Sequence, residues 1–334
     1  MAEWIQREGG KTRFRYVRKD GQAVGDERTL ERIRLLVIPP AWTDVHIAVS
    51  ARAEVQAWGM DVKGRKQYRY HPRAVERGQL RKYYRVRELA RELPDIRRRV
   101  RSHAASRTPS KRAVAAAVVR LISESFFRIG SEKYATENKT FGIATLSKRH
   151  AQLVDGCVVF TYVGKRSIRQ RQTVANRELA ALVRRHMASP GTRLFRYKEG
   201  THWHDLTSRD VNDYLHETLG LGFSAKDFRT WGGTLRAATV LAEIGPGRTP
   251  TETKRNVMTT MRLVASELGN TPAICRKSYV HPLIAARYVD EGETIILPKK
   301  YVPHADVYAH SPEERALIRF LDTHFPERRK RARM

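Results

Sequence analysis

Lys63-Gly64-Arg65-Lys66-Gln67-Tyr68-Arg69-Tyr70-His71-Pro72 joins two different textures of sequence. Basic or polar side chains alternate with tyrosines beside a glycine turn, the period-two pattern of a strand, which sets Tyr68 and Tyr70 on one face. Basic groups interleaved with aromatics suit a surface that grips phosphates and sugars. Lys63, Arg65, Lys66, Gln67, Tyr68 and Tyr70 are therefore candidate nucleic-acid contacts. A half-buried strand with a solvated charged face explains the same pattern equally well. Upstream, residues 12–72 read as short β segments broken by turn residues. Phe14-Arg15-Tyr16-Val17 precedes Asp20-Gly21, and Leu35-Leu36-Val37-Ile38 precedes Pro39-Pro40.

Beyond His71-Pro72 the period becomes helical. Residues 79–101 are dense in Arg and Leu, 102–110 are polar, and 111–127 form a long Ala-, Val- and Leu-rich helical pattern. Period two returns at Cys157-Val158-Val159-Phe160-Thr161-Tyr162-Val163. Gly164-Lys165-Arg166-Ser167 makes a turn and 168–174 come back as a more polar strand, a β-hairpin. Helices resume at about 175–188. Another is expected after Thr207-Ser208 as cap, with Val211, Tyr214, Leu215 and Leu219 as its apolar face and Gly220 as its stop. The expected fold class is α+β: a small β-rich N-terminal domain over 1–75, a larger mainly α-helical domain carrying the hairpin over 76–326, and a disordered basic tail over 327–334.

The chain has 334 residues, 41% of them hydrophobic, enough to bury a core. Its 64 Lys and Arg against 35 Asp and Glu leave a formal charge of +29, which self-repels in a compact state and points to a polyanionic partner. The excess is mostly arginine, whose planar fork matches phosphate. Cys157 and Cys275 are the two cysteines, so no disulfide framework and no four-cysteine zinc pattern is implied. His202 and His204 lack further ligands at zinc-finger spacing, and no metal site is expected. The N-terminus lacks a signal-peptide pattern and no apolar run approaches bilayer length. A cytoplasmic protein is expected, on the nucleoid if bacterial, with no membrane partner.

Four pieces could carry chemistry. Arg128 extends the apolar face of the preceding helix, on which Val114, Val118, Leu121 and Ser125 lie. An arginine aimed from such a face needs a buried carboxylate or a bound anion. Lys165 sits at the hairpin turn. There it is either an ordinary exposed lysine or a group inserted in a DNA groove, able to protonate a leaving oxygen. Lys226-Asp227-Phe228-Arg229-Thr230-Trp231-Gly232-Gly233-Thr234 is expected to open a helix over about 234–243, with the glycine pair permitting close approach of an anion. The fourth piece runs from Leu268-Gly269-Asn270-Thr271-Pro272 to Cys275-Arg276-Lys277-Ser278-Tyr279-Val280-His281-Pro282.

In this order the pieces resemble the poxvirus-like and bacterial branch of the type IB DNA topoisomerases, along almost the whole chain. The N-terminal part is similar to that family's DNA-clamping domain through Ile38-Pro39-Pro40-Ala41-Trp42-Thr43-Asp44-Val45 and through Gly64 to Pro72 of the opening stretch. The catalytic part is similar through Phe127-Arg128-Ile129-Gly130, residues 138–146, Val163-Gly164-Lys165, Phe228-Arg229-Thr230-Trp231-Gly232 and Arg276-Lys277-Ser278-Tyr279. The resemblance implies the catalytic fold shared with tyrosine recombinases and a two-domain, C-shaped clamp that acts as a monomer on duplex DNA. Tyr279 then matches the nucleophile that forms a 3′-phosphotyrosyl link. Arg128 and Arg229 match the two arginines on the phosphate, and Lys165 matches the hairpin lysine. Lys226, Arg276 and Lys277 become further candidate DNA contacts.

The chemistry agrees with those roles. Phosphoryl transfer leaves a protein mainly positioning and electrostatic work, and two guanidinium groups can hold the non-bridging oxygens without a metal ion or other cofactor. The family usually has a histidine nine residues before the tyrosine. Here Asn270 stands there, able to donate an N–H but unable to become a cation. Tyrosine recombinases share the Arg, Lys, Arg and Tyr chemistry, but the Ile-Pro-Pro-Ala-Trp segment and the tyrosine-rich strand resemble the topoisomerase branch. A non-catalytic DNA-binding protein would explain the charge and leave the ordered set unexplained.

Overall fold

Strand-forming Trp, Ile, Val and Tyr recur at alternate positions near the start of the chain. Five antiparallel strands result: β1 (Trp4–Gly9), β2 (Phe14–Val17), β3 (Thr43–Ala48), β4 (Val55–Met60) and β5 (Lys66–Tyr70), in the order β2-β1-β3-β4-β5. The computed structural model describes residues 3–10, 13–220, 222–298 and 306–325. The chain divides into two units, Met1–Lys82 and Tyr83–Met334. In the first, Ile5, Val45, Ile47 and Ala57 turn to one face of the sheet and pack with Val24 and Ile33. Cross-strand pairing of Trp58 with Tyr68, and of His46 with Trp58, places aromatics on the other face.

Leu35-Leu36-Val37-Ile38, expected as a strand, is instead the end of helix α1 (Glu27–Leu35) and the turn after it. Asp26 caps this helix by accepting the Thr29 N–H at 3.0 Å, and its buried residue Ile33 joins the core. The chain leaves the helix where Val37 turns left-handed, with φ 46°, just ahead of the proline pair.

The second unit is mainly helical. It contains α2 (Pro72–Ala105, which begins in the first unit), α3 (Lys111–Ser125), α4 (Glu132–Asn138), α5 (Arg177–Met187), α6 (Ser208–Leu219), α7 (Ala225–Ile244), α8 (Pro250–Leu268), α9 (Pro272–Ser278), α10 (Pro282–Glu291) and α11 (Pro312–His324). Strands β6 (Ala151–Val154), β7 (Cys157–Val163) and β8 (Arg169–Val174) form an antiparallel sheet, so the expected hairpin has a third strand. A two-stranded ribbon, β9 (Arg196–Glu199) and β10 (His202–Asp205), holds the His-x-His pair. The division between units falls after Lys82, inside α2, and that helix runs through part of the expected polar stretch before ending at Ala105. The expected basic tail lies outside the described residues. No helix among the described residues is long and apolar enough to cross a membrane.

α3 is the hub of the large core. Ala113 to Val119, Leu121 and Ile122 are all buried, and the small side chains let α6 and α7 pack close. It ends at Ser125, where Phe126 adopts a left-handed conformation with φ 54°. The helical face projected onto Arg128 therefore does not extend that far. α7 differs from expectation too: a capping box between Ser224 and Asp227 starts it at Ala225, so Gly232-Gly233 lie in mid-helix and not at an anion-binding helix start. A Cβ on Gly232 would stand 2.2 Å from the Phe126 ring.

Gly232→Ala should therefore cost about 1–3 kcal/mol of stability, measured by urea denaturation. His186, on α5, is 5% exposed, and its Nε2 has no hydrogen-bond partner among the described residues. Burial, with a smaller push from Arg185, lowers its pKa from 6.5 to about 4. Between those values the unfolded chain binds the extra proton, so stability is complete above pH 6.5 and falls as pH drops toward 4. The expected loss is about 3 kcal/mol. Denaturation at a series of pH values should show a shallower acid slope in His186→Phe.

Candidate active site

Helix α8 ends in Gly269, which has a left-handed φ of 61°. A helix C-terminus presents carbonyls without intrahelical partners and a partial negative charge, and it favours cations. Two arginines from distant parts of the chain meet there. Arg128 donates through Nη2 to the Gly269 carbonyl at 2.7 Å and to Asn270 Oδ1. Arg229 donates through Nη2 to the Leu268 carbonyl at 2.8 Å and through Nη1 to the Phe126 carbonyl.

Each arginine has its own support. The left-handed Phe126 swings the chain off α3, and the carbonyls of Arg128 and Ile129 accept the Ile143 and Ala144 N–H groups at 2.8 and 2.9 Å. In the same segment the Phe141 N–H donates to the Val163 carbonyl at 2.7 Å, at the end of β7 next to the lysine turn. Arg229 projects from the buried side of α7. Two residues before it, the buried Asp227 caps that helix and accepts from Arg85 at 2.9 Å.

Arg229 is 4% exposed, and no carboxylate pairs with it or with Arg128 among the described residues. Burial pushes the Arg229 guanidinium down to about 10; the Tyr279 phenol opposes that shift and Arg128 adds to it. Arg229 still carries its proton at neutral pH. Its Nε and the Nδ2 of Asn270 are buried without a hydrogen-bond partner among the described residues. Two cations and an unused amide donor, with no carboxylate among the described residues beside them, make a ready site for an anion.

Tyr279 follows α9 directly, and the Arg229 guanidinium lies 5.1 Å from its ring centroid. Its backbone is fixed from two sides. The Thr234 hydroxyl accepts the His281 N–H at 3.0 Å and sits 3.3 Å from the Tyr279 carbonyl, while the Tyr83 hydroxyl donates to the Val280 carbonyl at 2.9 Å. A Cβ on Gly233 would come within 2.8 Å of the Tyr279 carbonyl oxygen. Gly232 thus serves close packing on the Phe126 ring and Gly233 close packing on the segment that carries Tyr279, in place of the expected anion contact.

Arg128 contacts Asn270, Arg229 contacts Tyr279, and the two pairs meet at the Leu268 and Gly269 carbonyls. Lys165 stands apart in the turn after β7, exposed, between Gly164 and the left-handed residues Arg166 and Ser167. Lys226, Arg276 and Lys277 are exposed on α7 and α9.

In the first unit, Tyr68 and Tyr70 stack at 5.7 Å and are 42% and 52% exposed. Lys66 Nζ lies 3.5 Å from the Trp58 ring centroid, and Lys63 is exposed at the turn. Arg65 and Gln67 behave differently, since both hydrogen-bond to Asp61, at 2.8 and 3.0 Å. Hydrogen bonding from Arg65 is the main cause that holds the Asp61 carboxyl down at about 2. Sequence reading missed Tyr83, Thr234 and Asp227 as supports, because each acts on a partner that periodicity cannot locate.

A family model described as the eukaryotic DNA topoisomerase I catalytic core matches residues 72–295. Another, described as the bacterial DNA topoisomerase IB N-terminal domain, matches residues 13–61. DNA topoisomerase 1B of Acanthamoeba polyphaga mimivirus is 30% identical over 311 residues, covering 91% of this chain and 93% of its own length. DNA topoisomerase 1B of vaccinia virus (strain Copenhagen) is 26% identical over 290 residues, 82% and 86% of the two chains. DNA topoisomerase I of monkeypox virus is 25% identical over the same coverage. A catalytic-core match over more than half of the chain and a relative aligned over nearly its full length agree with the fold: this chain belongs to the type IB DNA topoisomerases, isomerases that relax supercoiled duplex DNA by the type IB mechanism.

Proposed function

We propose that Tyr279 is the nucleophile of this relaxation, that Arg128, Arg229 and Asn270 hold the scissile phosphate, and that Lys165 is the general acid. The observation that carries the reading is the pair of carboxylate-free arginines gathered with Asn270 at the end of α8, with Tyr279 against one of them. The Tyr279 oxygen attacks phosphorus and passes its proton to solvent. The bond from phosphorus to the 5′-oxygen breaks, and that oxygen takes a proton from Lys165. Guanidinium donors and the Asn270 N–H stabilise the charge on the non-bridging oxygens. The 3′-phosphotyrosyl link conserves the energy of the broken bond, so after strand rotation the 5′-hydroxyl reverses the step without ATP.

Asn270 acts through direction and not through charge. Arg128 donates to Oδ1 and so orients the amide, leaving Nδ2 as the free donor. In this reading the N-terminal domain, residues 1–75, grips the duplex through Lys63, Lys66, Tyr68 and Tyr70. Arg65 and Gln67 shape the turn through Asp61. Lys226, Arg276 and Lys277 add phosphate contacts beside the site, and the enzyme works as a monomer.

Relaxation of supercoiled plasmid in EDTA without ATP, with denaturant-quenched aliquots probed for a 3′-linked adduct, tests the assignment. Tyr279→Phe should bind plasmid and yield neither relaxed product nor adduct; residual adduct would move the nucleophile elsewhere. Asn270→Ala should slow single-turnover cleavage by about 10²-fold, the usual scale for losing one preorganised donor. A wild-type rate in that variant would remove Asn270 from the site.

A further inference from the structure

Gln170 sits on β8, five residues beyond Lys165, and is buried although polar. Its side chain occupies the space between two glycines far apart in sequence. A Cβ on Gly164, the residue before Lys165, would fall 2.8 Å from Gln170 Cγ. A Cβ on Gly269, the residue before Asn270, would fall 2.1 Å from Gln170 Oε1. The amide therefore packs against the Gly269 backbone, whose carbonyl holds Arg128. The Gln170 amide nitrogen also reaches the Ile168 carbonyl at 3.5 Å, the same oxygen that accepts the Gly164 N–H at 2.8 Å and closes the lysine turn.

From this juxtaposition we propose that Gln170 is a positioning residue for Lys165: it wedges the lysine's turn against the Gly269 backbone and so sets where the ammonium group stands relative to the phosphate held by the arginines. The inference rests on Lys165 being the general acid. The physical need is plain. Arg166 and Ser167 both have left-handed backbones, and Lys165 has no side-chain partner among the described residues. The Gly164 and Phe141 N–H groups tie the turn at its base, on the Ile168 and Val163 carbonyls, and leave its tip to be placed by packing. Gln170 supplies a buried stop on the one side where the hairpin meets the phosphate-holding loop. At 3.5 Å its hydrogen bond is too long to contribute much, so the packing carries the effect.

The test compares cleavage of an ordinary duplex with cleavage of one carrying sulfur in place of the bridging 5′-oxygen at a mapped site. A thiolate leaves without a proton, so a defect in the acid disappears on the sulfur substrate. Lys165→Ala is the control and should be slow on oxygen and near wild type on sulfur. Gln170→Ala should lose about 10- to 100-fold on oxygen, the scale of a misplaced group, and recover on sulfur to within about threefold of wild type. Gln170→Met, which fills the same space between the glycines, should restore most of the oxygen rate. Unchanged melting and noncovalent DNA binding in Gln170→Ala would confirm that the loss is local.

An equal loss on both substrates, or none, overturns the role of Gln170 while leaving Lys165 as the acid. A Lys165→Ala variant that sulfur fails to rescue overturns the acid assignment and this inference with it.

Discussion

The end of α8 has carbonyls and no further helix to use them, and two arginines without carboxylates supply the missing donors. Leu268 and Gly269 accept from Arg229 and Arg128, while Gly269 and Asn270 turn their own N–H groups back toward Ala265 and Ser266. A buried guanidinium is expensive to hold, and carbonyl dipoles lower that cost without neutralising the charge. The net positive charge therefore stays available to an anion. Had an aspartate served the same purpose, the arginines would be held as firmly but their charge would already be matched.

Much of the second unit can be understood as support for that arrangement. Phe126 turns left-handed so that its carbonyl reaches Arg229 and the chain beyond it delivers Arg128. Gly232 makes room for the Phe126 ring, and Gly233 makes room for the Tyr279 carbonyl. Thr234 then fixes the backbone after Tyr279, so three consecutive residues of α7 serve both the arginine segment and the Tyr279 segment. The strand and turn that present Lys165 meet the Gly269 loop through Gln170. Among these groups the lysine is the most exposed.

The first unit follows a separate logic. Its sheet buries aliphatic side chains on one face and shows a row of aromatics, Trp58, Tyr68 and Tyr70, with Lys66 over Trp58 on the other. Asp61 organises the turn between β4 and β5 by accepting from the backbone N–H groups of Lys63 and Arg65 and from the side chains of Arg65 and Gln67. Alternation therefore separates Tyr68 and Tyr70, which remain open, from Gln67, which turns inward.

Local sequence determined the elements whose signal is local. The β-rich start, the helical remainder, the strands around Lys165, and α6 between its Thr207 cap and Gly220 stop all follow from period and capping chemistry. Motif order identified the family and named the candidate residues. Where the sequence misled, the deciding contact was distant. The apolar run at 35–38 reads as strand, but the capped helix before it buries Ile33 against the sheet. Arg128 reads as a continuation of α3, but Phe126 breaks the helix so that a carbonyl can meet an arginine a hundred residues away. Only the tertiary structure decided that Arg128 and Arg229 share one helix end, that Asn270 is oriented by Arg128, and that Gln170 lies between two glycines. Each depends on side chains meeting across long stretches of chain, and no pattern of neighbours along a sequence records which distant groups will share a buried space.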